Sequence, residues 1–277
     1  MSSENFRRSL IAQLEQTVQG ISLPAVTLAY VPEPRCEQTG EVEFGVIGLA
    51  DGSAGLYYAW LGATQRGMPS RFSAAQLEAS DVLSLVRNYA ADSDAERSIG
   101  LAAINAITAW WWRQQRYVPP IAQDSFGVTL RAGDRVGFIG YFAPLIARVR
   151  AQGIPVVVIE RKAQLLCAEE NLLVTDDPAA LRNCSVVIAT AAMCLNDSLE
   201  ETLRWCSQAR EISLIGPTAG FFPDLLFARG ISCVGGVYVT DAQAMVAAMK
   251  AGQRWQAHAQ RFHLRPTDYA PGTAYSP

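Results

Sequence analysis

Histidine is nearly missing from this chain of 277 residues: there are two, His258 and His263, five positions apart. That spacing is not the one-turn separation of a helical metal pair. Neither histidine stands near a strand end, where a Ser-His-Asp or Cys-His pair would work. Charge is scarce as well. Charged residues make up 18%, with Lys plus Arg at 23 against Asp plus Glu at 26, for a net charge of −3, and no long basic run occurs. The field that draws a protein onto nucleic acid or an anionic membrane is therefore lacking. No stretch reaches the roughly 18 apolar residues of a membrane span, and the opening MSSENFRRSLIAQLEQ has no apolar centre of signal-peptide type. The longest apolar run, Leu101 to Trp112, is interrupted by Asn105 and Thr108. Cysteines fall at 36, 167, 184, 194, 206 and 233 with no CxxC pair. They read as reduced thiols of a cytoplasmic protein, most of them small core residues.

What is present is apolar bulk. Half the residues are apolar, enough to offset chain entropy and to exclude a disordered chain. The length predicts one large domain or two smaller ones. The hydrophobic periodicity divides them. Residues 4–19 carry Phe6, Leu10, Leu14 and Val18 at helical spacing. Ala25–Val31, Glu41–Leu49 and Gly55–Leu61 then read as strands, joined through Pro32, Pro34 and Gly40 and through Asp51-Gly52-Ser53. After Gly67–Pro69 the pattern turns helical. Ser73 caps one short helix, Asp81 opens another, and Ser93 or Asp94 opens a long one to about Gln115. Residues 1–118 are thus expected to form a small α+β domain.

Around Pro119-Pro120, residues 119–132 read as a linker. Residues 133–264 then alternate. Strands are expected at Arg135–Ile139, Pro155–Ile159, Val186–Thr190, Ile212–Ile215 and Cys233–Val239. Helices are expected near 142–152, 178–182, 198–208, 223–229 and 241–251. Short apolar strands separated by helices describe a mainly parallel sheet covered on both faces, a Rossmann-like α/β domain. Residues 265–277 read as a loose tail.

Several segments carry candidate chemistry, each with a structural alternative. Gly137-Phe138-Ile139-Gly140-Tyr141-Phe142 sits where the first parallel strand meets its helix. Glu160 follows the second strand, twenty residues after Gly140, where an acidic residue would hold a ribose hydroxyl. This reads either as an adenosine-type cofactor site or as a tight turn with a solvent-facing Glu. Tyr141 and Phe142 crowd the close-approach positions, which weakens the case for a pyrophosphate. Thr190 and Asn196 sit at a strand end, where ligands bind in open sheets. Ser198 and Glu201 alone satisfy the capping-box pattern.

The run from Gly216 to Asp224 leaves a strand, offers Thr218 and enters a helix with Asp224 in its first turn. Its aromatics, Phe221 and Phe222, fit a lid or an inter-domain contact. Arg97 and Asn105 share a broad face of the long apolar helix. They either bridge to the neighbouring sheet or project into a cleft.

These segments carry a resemblance. The Arg97-x-x-Gly-Leu-Ala-Ala-Ile-Asn-Ala helix, Val136-Gly-Phe-Ile-Gly-Tyr-Phe-x-Pro-Leu, Gly216-Pro-Thr-Ala-x-x-x-Pro-Asp-Leu-Leu-Phe and Gly235-Gly-Val-x-Val-Thr-Asp241 resemble the proteins described as "putative heavy-metal chelation". The resemblance covers about residues 5–252. It implies an enolase-amino-terminal-like domain followed by a Rossmann-like domain, with a site at their interface. Carried over by position, it implicates Arg97, Asn105, Tyr141, Asn196 and Thr218 in ligand binding, and Glu160, Asp224 and Asp241 in holding a metal ion. Oxygen donors of that kind suit soft heavy metals badly. The expected partner is a metal ion or a metal-related small molecule at the interface. The rival reading is an enzyme using S-adenosylmethionine or a nucleotide, and a homo-oligomer stays open.

Overall fold

The computed structural model describes residues 3–33, 44–59 and 64–269. Pro34, Cys36, Gly40, Leu61, residues 41–43 of the second expected strand and residues 270–277 of the expected tail lie outside them.

The amino-terminal part begins with α1 (Ser3–Thr17), whose stripe of Phe6, Leu10 and Leu14 is fully buried. The strands β1 (Val26–Tyr30), β2 (Phe44–Leu49) and β3 (Ala54–Tyr58) form an antiparallel sheet in that order. Helices α2 (Thr64–Arg71), α3 (Ala74–Glu78) and α4 (Val82–Arg87) follow. Ser73 and Gln76 form a capping box on α3, and Asp81 accepts from the Ser84 amide to start α4. The long α5 (Asp94–Gln114) is buried on nearly every side, which its lack of a polar face dictates. It lies directly on β3. A Cβ at Gly55 would stand 2.1 Å from the Ala102 carbonyl oxygen, so only glycine permits this approach.

The carboxy-terminal part is an eight-stranded sheet. Its members are β4 (Val136–Ile139), β5 (Val156–Ile159), β6 (Cys167–Glu169), β7 (Leu172–Thr175), β8 (Val186–Thr190), β9 (Glu211–Ile215), β10 (Cys233–Val239) and β11 (Ala259–Leu264). Their order is β11-β10-β9-β8-β4-β5-β7-β6, with β6 and β11 antiparallel edges on a parallel centre. The helices are α6 (Ala143–Arg150), α7 (Leu199–Leu203), α8 (Asp224–Phe227) and α9 (Ala242–Lys250). The parallel strands leave β4 outward through β5 and β7, then return to build β8, β9 and β10 on its other side. The order of succession therefore reverses between β4 and β8, the point at which doubly wound sheets bind ligands.

Two elements differ from expectation. Residues 167–175 form the β6–β7 hairpin, turning through Asn171 at φ 58°, a left-handed conformation that asparagine tolerates. Residues 259–264 form β11, with Phe262 and Leu264 inward in a two-residue period. Residues 119–132 run along β11, through Ala122 N–H to the Arg261 carbonyl at 2.9 Å and His263 N–H to that of Pro120 at 3.2 Å. Tyr269, in the expected tail, is buried beside Phe227 with ring centroids 6.0 Å apart. A continuous apolar cluster includes Leu10 and Ile104 from one part and Val187 and Phe262 from the other.

Candidate functional site

The carboxyl ends of β4, β5, β8 and β9 open on a cleft of about 860 Å³. Phe44, Tyr58 and Asp94 of the amino-terminal part form its opposite wall. Of the residues singled out in the sequence, Tyr141, Glu160, Asn196 and Thr218 line this one space.

Each is held there by local chemistry. Gly140 adopts φ 94° to turn out of β4. A Cβ on it would lie 3.3 Å from Thr190 Cγ2 of the adjacent strand. Tyr141 is 38% exposed, while Phe142 packs against Phe138 at 6.3 Å between centroids. Glu160 Oε1 accepts the backbone N–H groups of Arg161 (2.8 Å) and Lys162 (3.0 Å), and Oε2 has no partner among the described residues. Asn196 Oδ1 accepts the Ser198 N–H (3.2 Å) and its hydroxyl (2.6 Å). The expected Ser198–Glu201 capping box is therefore absent: Ser198 turns back to Asn196 and makes no side-chain cap on α7. Thr218 is buried at the cleft wall.

Arg97 and Asn105 take supporting positions instead. Asn105 Nδ2 donates to the carbonyls of Leu56 on β3 (3.2 Å) and Thr218 (2.9 Å), and buried Oδ1 has no partner. It is a bridge from α5 to both β3 and the loop after β9. Arg97, 8% exposed, pairs with Asp94 and with Asp197 (3.1 Å), and the 4% exposed Arg7 of α1 pairs with the same Asp197. Burial, and then the neighbouring Arg97 charge, pushes the Arg7 pKa down. Asp197 holds its position at φ 60°. One signal points to Arg7: it stands three residues before Leu10 and seven before Leu14 on the buried stripe. Nothing marked Asp197.

The Gly216–Asp224 run serves two purposes. Phe221 and Phe222 are fully buried, and Phe221 meets Phe6 of α1 edge-on at 6.4 Å. They anchor the loop rather than cover the cleft. Asp224 accepts from Gln13 Nε2 of α1 (3.0 Å) and from the Tyr269 hydroxyl (3.5 Å), and burial raises its pKa. It faces Gln13 of α1 and does not line the cleft.

The three carboxylates expected to share a metal are thus apart. Glu160 lines the cleft, Asp224 faces α1, and Asp241 caps α9 through the Ala244 amide (2.9 Å) beside a separate hollow with Arg113. Among the described residues no three His, Cys, Asp or Glu side chains are grouped to hold a metal ion. Burial pushes the thiols of Cys194 and Cys206 up to about 12 and that of Cys233 up to about 11.

A mainly parallel sheet and a small antiparallel sheet, with a cleft at the switch point of the larger one, define the protein as a mixed α/β fold. The chain belongs to the DUF364 family, whose description is "Putative heavy-metal chelation" and whose model matches residues 124–266. A curated relative is an uncharacterized protein of Methanocaldococcus jannaschii, 25% identical over 158 residues, 56% of this chain. The chain spans 59% of that relative's length. Two solved structures of DUF364 proteins of unknown function share the fold. One, from Pyrococcus horikoshii, has a TM-score of 0.64 at 16% identity and covers 96% of this chain and 100% of its own. The other, from Desulfitobacterium hafniense DCB-2, has a TM-score of 0.65 at 19% identity and covers 93% and 98%. No helix among the described residues is long and apolar enough to cross a membrane.

Proposed function

We propose that this protein binds a small organic ligand of adenosine type in the cleft between its two parts. One observation carries the reading: the reversal between β4 and β8, the left-handed Gly140 turn and Glu160 after the adjacent β5 all open on the same space. That is the arrangement in which an acidic strand end takes a ribose hydroxyl while the first turn faces the rest of the ligand. The unpartnered Glu160 Oε2 is the acceptor such a hydroxyl needs. Thr218, with its backbone fixed by Asn105, supplies a second polar contact, and Phe44 and Tyr58 close the far side. The division at residues 119–132 into two domains, with the ligand at their junction, belongs to this reading.

Direct heavy-metal chelation fits the described side chains poorly. The carboxylates are dispersed, and oxygen donors suit soft ions badly. The test is a thermal-shift and calorimetry panel of adenosine, S-adenosylmethionine, S-adenosylhomocysteine and divalent metals. Ligand at 100 times its Kd adds about 2.7 kcal/mol of stability. Adenosine compounds should raise Tm in the native protein and lose that effect in Glu160→Ala. Stabilisation by metal alone, with none by any adenosine compound, overturns the reading.

A further inference from the structure

The cleft holds two cations that nothing in the fold uses. Arg161 and Lys162 directly follow Glu160 and line the cleft with it, and both are exposed. Their side chains make no ion pair or hydrogen bond to another side chain among the described residues. Several other cations of the chain are engaged instead. Arg7, Arg97, Arg113, Arg210 and Arg229 all reach carboxylates. Lys162 is one of only two lysines in the chain.

Their position has a chemical meaning. Glu160 curls Oε1 back onto the amides of Arg161 and Lys162, which fixes the acidic and basic groups side by side at the end of β5. In sheets of this kind a carboxylate there takes a ribose hydroxyl in one class of site, and an arginine nearby accommodates a phosphate on that sugar in another. This strand end carries both kinds of group. Charge-assisted contacts to phosphate oxygens are stronger than neutral hydrogen bonds. We infer that the ligand is a phosphorylated ribonucleoside whose phosphate sits on the 2′ or 3′ ribose position, against Arg161 and Lys162. Glu160 takes the remaining ribose hydroxyl. This rests on the adenosine-type reading and adds the charge and position of the phosphate. A 5′ phosphate would instead point toward Gly140 and Tyr141, where no cation among the described residues lines the cleft.

Calorimetry with adenosine, 2′-AMP, 3′-AMP, 5′-AMP and inorganic phosphate tests it, at low and at high salt. Either 2′-AMP or 3′-AMP should bind about tenfold more tightly than adenosine, the gain expected from two partly exposed charge contacts. Which of the two gains identifies the phosphorylated position. The ratio should shrink with salt and fall to about one in the Arg161→Gln/Lys162→Gln variant, with folding checked by circular dichroism. Equal binding of adenosine and both ribose phosphates overturns the inference and leaves the adenosine reading standing. So does an equal gain for 5′-AMP, or inorganic phosphate binding as tightly as the ribose phosphate. Binding by none of the nucleosides sinks both.

Discussion

The side-chain nitrogen of Asn105 stands 2.9 Å from the backbone oxygen of Thr218, joining the centre of α5 to the loop that leaves β9. The same nitrogen reaches Leu56 on β3, so one amide serves three elements. Asn105→Leu removes the donor that serves the buried Leu56 and Thr218 carbonyls. A loss of about 2–4 kcal/mol is expected from two unsatisfied buried groups, measured by urea denaturation. Ligand affinity should fall too, because the Thr218 backbone loses its support. A variant as stable as the native protein would show that the bridge is incidental.

Asp197 draws Arg7 of α1 and Arg97 of α5 onto one carboxylate. Both guanidiniums are almost fully buried, and a buried charge deprived of its partner is costly. Asp197→Asn keeps the left-handed backbone that asparagine tolerates, so it isolates the charge. Because Asp197 is itself partly exposed, the expected loss is about 1–3 kcal/mol. A double-mutant cycle with Arg7→Met should return a coupling above about 0.5 kcal/mol. Strict additivity would reduce the network to a surface contact.

Two aspartates respond to pH with opposite signs. The Arg210 guanidinium, bonded to Asp134, holds that carboxyl down at about 2. Its contribution is present above the unfolded pKa near 4 and is lost as pH falls through about 2. Asp134→Asn should flatten the acid limb of the stability curve between pH 4 and 2. Asp224 is raised by burial, so its folded state binds the proton more readily than the unfolded one. Stability then rises as pH falls toward 4 from above. Asp224→Asn should equal or exceed the native protein at pH 7, with the advantage shrinking toward pH 4. It should also leave cleft binding intact, since Asp224 faces Gln13.

Much of the fold was legible because its signals are periodic. The five expected parallel strands carry short, mostly apolar runs, and both caps expected before α3 and α4 are residues whose side chains bond the next turn. The lining of the cleft was legible where strand ends determine it, as at Tyr141, Glu160 and Thr218. Asp224 and Asp241 do not line that cleft: an acidic residue opening a helix already has a local use, and neither position reveals which way the helix turns. The β6–β7 hairpin escaped because β6 has only three residues and stands at an exposed edge. Asp197 escaped because its partners are distant in sequence: Arg7 lies 190 residues away and Arg97 100.

Thr218 is buried, lines the cleft, and makes its one visible bond through its backbone. Thr218→Val keeps the branched shape and removes only the hydroxyl. Stability should change by less than about 1 kcal/mol, because no protein partner is lost. Adenosine affinity should drop by roughly three- to tenfold, the worth of one hydrogen bond. Unchanged affinity would place the ligand away from this wall.

NAD should bind less tightly than adenosine monophosphates. A dinucleotide needs its pyrophosphate against free amides at the first turn of the helix after the first strand. Here Gly140 is followed by Tyr141 and Phe142, and Pro144, within the first turn of α6, has no N–H to offer. Phe142 occupies the cap position and gives α6 no side-chain cap, so bulk stands where the glycine-rich turn would let a phosphate approach. Adenosine reaches the β5 end without passing this obstruction. Side-by-side calorimetry with NAD, 2′-AMP and 3′-AMP measures the difference. NAD binding at micromolar Kd and more tightly than either monophosphate, with the effect lost in Glu160→Ala, would mean that the turn opens on binding. That result would make a dinucleotide the ligand of the cleft.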